Sequence, residues 1–312
     1  MSADTNGGGA GTGGERGGEP GGGAGGEHAA PRRIAVLGAG TMGAGIAALA
    51  ALRGAEVMLF DSSPEALRAC LSRIAKAYDG AVRHEKATEE ETAAARQRVH
   101  AAGSIAVAAH GAEWVLEAVP ESMSLKQEVL HEAQAAAPEQ ARIGTNTSSL
   151  SVTEIASACG DPSRVAGVHF FNPPLAMPLV EIVRGEATSE ETIALARSLA
   201  EHLGKQTILV RDSPGFATSR LGIALGNEAM RMLETGVASA EDIDRAMELG
   251  YRHPMGPLRL SDLVGLDVRL RITEHLYEEL GTDTFRPPQI LKRLVRAGKL
   301  GRKTGEGFYR YE

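Results

Sequence analysis

The chain has 312 residues, 38 of them glycine, and a formal net charge of −7. Thirteen of those glycines fall within residues 1–30, which contain no Val, Ile, Leu, Phe, Tyr or Trp; residues 1–31 are therefore expected to form a disordered tail. That tail carries −3 of the charge, so the remaining ~280 residues carry about −4, which gives no basis for a nucleic-acid or anionic-membrane partner.

The start has neither a basic segment nor an apolar run, so it does not read as a secretory signal. The tail glycines read either as a flexible tether or as sequence upstream of the true start. No later stretch approaches the ~18 apolar residues of a membrane span. Cys70 and Cys159 lie far apart and form no Cys-x-x-Cys, so neither a disulfide framework nor a zinc or other metal site is implied. The expectation is a soluble, cytoplasmic protein.

From Arg32 the texture changes. Residues 34–37 (Ile-Ala-Val-Leu) read as a strand buried on both faces, followed by Gly38-Ala39-Gly40-Thr41-Met42-Gly43 and a small, apolar helix over 44–53. Residues 57–60 form a second strand, closed by Asp61. This unit predicts a parallel pair joined by a right-handed crossover. Residues 63–100 read as long amphipathic helical stretches with solvated charged faces. Strands follow at 114–119 and 142–145, with a helix over 124–137 between them, and further β-like segments at 164–169, 179–183 and 206–210. After Ser213-Pro214-Gly215 the pattern turns helical: 216–234, 239–249, 257–281 and 288–297. The predicted fold is α/β, a doubly wound Rossmann-type sheet over 32–212 with an all-helical domain over 213–312.

Three constellations carry chemistry. Gly-x-Gly-x-x-Gly between a strand and a helix, with an acidic residue 23 positions beyond Gly38, fits dinucleotide binding. Gly38 allows the tight turn, Gly40 lets the backbone approach a pyrophosphate, and Gly43 allows close helix–strand packing. The helix N-terminus favours the anion. Asp61 is suited to accept from ribose hydroxyls and to repel a 2′-phosphate, which favours NAD over NADP. The competing reading is a structural glycine turn with a capping Asp. The second constellation is His169, at the end of an apolar strand, and Glu181 within 179–183. A charge inside an apolar strand is costly to bury unless paired; a His–Glu pair fixes the imidazole tautomer and suits a general base. A structural His fits the local sequence equally well. The third is Gly144-Thr145-Asn146-Thr147-Ser148-Ser149 at another strand end, which reads either as a helix cap or as a hydroxyl for a substrate oxygen.

Together these residues resemble the 3-hydroxyacyl-CoA dehydrogenase family, from about Arg32 to the C-terminus. The resemblance also rests on Glu121 with Lys126, Asp212-Ser213-Pro214-Gly215-Phe216, Pro254-Met255-Gly256-Pro257, Gly265-Leu266-Asp267 and residues 303–309 (Lys-Thr-Gly-Glu-Gly-Phe-Tyr). It implies NAD as cofactor, a cleft between two domains, and a homodimer formed through the helical one. It assigns His169 as catalytic base, Glu181 as its partner and Ser148 as the hydroxyl at the substrate's reacting oxygen. Thr41, Met42, Glu121, Lys126, Asn172 and Lys303 fall on the cofactor site; Lys126 and Lys303 otherwise read as solvated surface charges. One departure stands out: Ser219 occupies a position where the family pattern has an Asn that holds the acyl carbonyl. The Ser and Lys with which some members hold the CoA nucleotide have no match in 66–84. The substrate is thus expected to be a 3-hydroxyacyl thioester on CoA, with an acyl carrier protein as alternative carrier, as in hydroxymalonyl-type extender units for polyketides. A non-catalytic, crystallin-like NAD-binding protein is the rival from another class.

Overall fold

The computed structural model describes residues 29–312, so nearly all of the predicted tail lies outside the described residues. Eight strands form one sheet in the order β3-β2-β1-β4-β5-β6-β7-β8. They are β1 (Arg33–Leu37), β2 (Glu56–Phe60), β3 (Val99–Ala101), β4 (Trp114–Glu117), β5 (Arg142–Thr145), β6 (Val165–Phe170), β7 (Leu179–Arg184) and β8 (Gln206–Arg211). All neighbours pair in parallel except β6 and β7. Strand order reverses direction at the β1/β4 boundary, which in open α/β sheets opens a crevice at the strands' carboxyl ends.

The continuous apolar runs of β1, β4 and β6 are explained by helices on both faces. One apolar layer joins β1, β2 and β6 to α1 (Thr41–Leu52) and α7 (Glu190–His202); the other joins β1, β4 and β5 to α5 (Met123–Ala136). The chain then enters a helical domain with its own core, built on α8 (Thr218–Glu234), α9 (Ala240–Arg245), α10 (Pro257–Val264), α11 (Leu266–Leu280) and α12 (Gln289–Arg296).

Three expectations differ from the structure. The helical stretches expected over 63–100 are α2 (Pro64–Arg83) and α3 (Glu89–Gln97), but their end is a strand, β3, that the sequence pattern does not predict. At three residues, an edge strand is too short to show a period of two; its pairing with β2 defines it. The helix predicted over 257–281 breaks at Gly265, whose φ of 99° cannot continue a right-handed helix. No helix separates β6 from β7. A parallel pair needs a crossover of a dozen or more residues, and the short loop between them permits only the antiparallel arrangement.

Candidate active site

At the end of β1, Gly38 has φ +105°, and a Cβ there would stand 2.6 Å from the Ala118 carbonyl oxygen on the β4 side. A Cβ on Gly43 would meet the Gly38 oxygen at 1.8 Å, so α1 lies closer to the turn than any side chain allows. Around Gly40 there is open space, and that residue is exposed. Helix α1 starts without a side-chain cap, and its first backbone bond runs from the Ala44 N–H to the Gly40 oxygen. The amides of Thr41, Met42 and Gly43 are therefore not used by the helix, as an anion site at a helix N-terminus requires. Asp61, just past β2, accepts from the Ala39 N–H at 2.8 Å and the Ser63 N–H at 2.9 Å, which fixes its carboxylate beside the turn. These features fit a dinucleotide.

Residues His169 and Glu181 stand opposite each other in the β6/β7 register. Their side chains meet, Nδ1 to Oε2, at 2.8 Å. Both are buried: Glu181 is 0 % exposed and His169 is 4 % exposed. On the other side of the ring, Nε2 lies 3.1 Å from Ser148 Oγ. Phe171 and Phe216 flank the imidazole, with ring centroids 4.6 and 5.9 Å away. Burial pushes the Glu181 carboxyl up, but hydrogen bonds from His169 and Thr218 outweigh it and hold the group below its ordinary range.

The loop bearing Ser148 is held by Glu121. Its Oε1 accepts from Thr147 Oγ1 (2.6 Å), the Ser148 N–H (3.0 Å), and both the N–H and hydroxyl of Ser149 (3.2 Å each). Burial raises this carboxyl too, and the Lys126 charge followed by the Thr147 and Ser148 bonds brings it below the usual value. Lys126 is fully buried; its ammonium lies 2.8 Å from Glu117 and 3.4 Å from Glu121. The solvated reading of Lys126 therefore fails, because a charge at this depth is tolerable only with such partners.

Asn172 and Thr41 line one cleft of about 360 Å³, which brings the turn of α1 beside the loop that follows His169. Ser219, in the first turn of α8, makes no side-chain hydrogen bond among the described residues. Lys303 is not brought to this group. It is exposed and ion-paired to Asp267 inside the helical domain.

Glu117, Lys205 and Thr218 join the site without a sequence motif that marks them, and Asn146 takes a definite role within the 144–149 stretch. Glu117, fully buried at the end of β4, accepts from Lys126, from Thr145 Oγ1 at 2.6 Å and from the Val119 N–H at 2.7 Å. The signal that marked Glu181, a carboxylate in an apolar strand, applies equally to it. Asn146 Oδ1 accepts from the Phe170 N–H at 2.8 Å and ties the Ser148 loop to the His169 strand. Lys205 donates to the Pro174 and Met177 carbonyls at 2.6 and 2.8 Å, stapling the wall of the cleft. Thr218 donates to Glu181, as described below. No local signal in the sequence marks it.

A dinucleotide turn at the sheet's switch point, beside a buried His–Glu pair with a hydroxyl at the free imidazole nitrogen, defines a nicotinamide-dependent dehydrogenase of alcohol groups. The family model of the 3-hydroxyacyl-CoA dehydrogenase NAD binding domain matches residues 33–213, and that of the C-terminal domain matches residues 215–311. The chain belongs to the 3-hydroxyacyl-CoA dehydrogenase family and is an NAD-dependent oxidoreductase. It is 43 % identical over 281 residues to a probable 3-hydroxybutyryl-CoA dehydrogenase of Bacillus subtilis (strain 168), covering 90 % of this chain and 98 % of that one. Among solved structures, FadB2 of M. tuberculosis superposes with a TM-score of 0.88 at 40 % identity, over 91 % of this chain and 100 % of the other. The (S)-3-hydroxybutyryl-CoA dehydrogenase PaaH1 from Ralstonia eutropha gives 0.86, also at 40 % identity, over 91 % and 100 %. No helix among the described residues is long and apolar enough to cross a membrane.

Proposed function

We propose that the chain oxidises the C3 hydroxyl of a short 3-hydroxyacyl group carried on CoA. The observation that supports this best is the continuous line Ser148 Oγ, His169 Nε2, His169 Nδ1, Glu181 Oε2, with steps of 3.1 and 2.8 Å across the imidazole. A substrate hydroxyl entering at the open end of that line gives its proton to His169 Nε2 and accepts a hydrogen bond from Ser148. Glu181 accepts from Nδ1–H, which fixes the tautomer that leaves Nε2 free, and it stabilises the imidazolium once formed. Glu121 fixes the Ser148 backbone, so only the hydroxyl proton has to turn, from Nε2 to the substrate oxygen. NAD, held by the 38–43 turn with its ribose at Asp61, supplies the hydride acceptor when bound. Two aromatic rings lie against the imidazole and leave it buried, which limits the access of competing water.

For the carrier, the cleft beside Asn172 is lined by apolar Ala44, Ala77 and Leu175 and by exposed basic Arg73, Lys76 and Lys86, so the stretch 66–84, in which the family's Ser and Lys found no match, still brings basic groups to the cleft. This arrangement suits a long arm ending in anionic groups, and the relatives named for 3-hydroxybutyryl-CoA support CoA as the carrier. A panel of 3-hydroxyacyl-CoA esters of increasing chain length tests the reading. Each acyl group is also offered on a carrier protein, with NAD and NADP compared. The expected result is highest kcat/KM for the four-carbon CoA ester with NAD. Preference for the carrier-bound acyl group rejects CoA, and preference for NADP rejects the role given to Asp61.

The same reading extends to a second copy of the chain. The helical domain exposes Leu221 (71 %), Leu249 (76 %) and Tyr251 (76 %), large apolar surfaces that a homodimer would cover. Sedimentation at micromolar concentration is expected to give twice the mass of one chain; a single-chain mass rejects the dimer.

A further inference from the structure

The Glu181 carboxylate is held from two sides. From β6 comes His169, and from the helical domain comes the start of α8. Glu181 Oε1 accepts from the Ala217 N–H at 3.2 Å and the Thr218 N–H at 3.0 Å. Oε2, the oxygen that faces His169 Nδ1, also accepts from Thr218 Oγ1 at 2.9 Å. On the β8 side its register partner is Ile208, which carries no charge. No other charged side chain hydrogen-bonds to the pair among the described residues; Glu121 is one step away, through the Ser148 N–H. Every acceptor direction on this buried carboxylate that is not given to the imidazole is thus filled from the first turn of one helix.

We propose that Thr218 is a positioning residue of the dehydrogenase reaction, its hydroxyl fixing the rotation of the Glu181 carboxylate and sharing Oε2 with His169. The proposal rests on His169 being the base, as argued above. Two consequences follow from the geometry. The hydroxyl locks the plane of the carboxylate, and through it the plane of the imidazole, against Ser148. It also withdraws charge from Oε2, so the imidazolium is held less tightly than by a free carboxylate. The helical domain therefore contributes to the proton-transfer group and does more than cover the substrate.

Isosteric Thr218→Val keeps the shape and both backbone N–H bonds and removes only the hydroxyl; Thr218→Ser keeps the hydroxyl and removes the methyl. For oxidation of 3-hydroxybutyryl-CoA, Thr218→Val is expected to lower kcat about five- to tenfold with KM for NAD unchanged. It is also expected to move the acid limb of the kcat/KM profile about half a pH unit higher, since Oε2 then holds the imidazolium more tightly. Thr218→Ser retains the wild-type limb and most of kcat. A loss of active fraction alone would scale the profile without moving it. Thr218→Ala carries the same expectation as Val and replaces it where Val does not fold. A wild-type limb in both Val and Ala, or a limb in Ser displaced as far as theirs, overturns the role of Thr218. His169→Gln at full wild-type rate would instead overturn the base assignment beneath it.

Discussion

Replacing His169 by Gln is expected to lower kcat for 3-hydroxyacyl-CoA oxidation by roughly a thousandfold, with NAD affinity close to wild type. General-base catalysis by a positioned side chain contributes about 10²- to 10⁴-fold. This imidazole is held on both nitrogens, so little of that contribution is lost to disorder. Gln preserves polarity and a donor towards Glu181, but an amide cannot take the hydroxyl proton. The residual rate then reflects Ser148 and the alignment of substrate with cofactor. Glu181→Gln is also expected to lower kcat, because it removes the charge that stabilises the imidazolium and turns one oxygen that accepts from two donors into an NH2 donor. Steady-state NADH formation with both variants, alongside NAD titration of each, reads the two effects separately. Turnover of His169→Gln within tenfold of wild type would remove His169 from the mechanism.

The elements that position this site were legible in the sequence wherever burial leaves a pattern. β1, the glycine turn and α1 announce themselves because a strand covered on both faces must be continuously apolar and the turn tolerates no Cβ. Glu181 was legible because a carboxylate interrupts such a strand. Its partnership with His169 needed the antiparallel β6/β7 pair, whose orientation follows from the short loop between them. What local pattern does not carry is contact across the chain. Thr218 reads as an ordinary helix-start residue, and only the folded molecule brings its hydroxyl to a strand 37 residues earlier. β3 is too short to show its period, and the break at Gly265 looks like one tolerated glycine in a long amphipathic stretch. Lys303 shows the converse limit: the resemblance assigns it to the cofactor, while in this single chain its partner is Asp267.

Lys126→Met is expected to be the most destabilising single change at the site. Lys126 is 0 % exposed and its ammonium joins Glu117, also 0 % exposed, to Glu121. Removing one member of a buried ion pair leaves an uncompensated charge, at a cost of about 3–5 kcal/mol. In a protein of this size that corresponds to a fall in Tm of roughly 10 °C. The damage should reach activity as well, since Glu121 holds Thr147, Ser148 and Ser149 through one oxygen and loses its cationic anchor. The double variant Glu117→Gln/Lys126→Met separates charge from packing. With the stranded carboxylate neutralised, the double variant is expected to melt above the Lys126→Met single variant, because the penalty lies in the buried unpaired charge. Equal melting of the two would mean that the lysine stabilises by filling space. A Lys126→Met protein that melts like wild type would mean that the network does not hold the Ser148 loop.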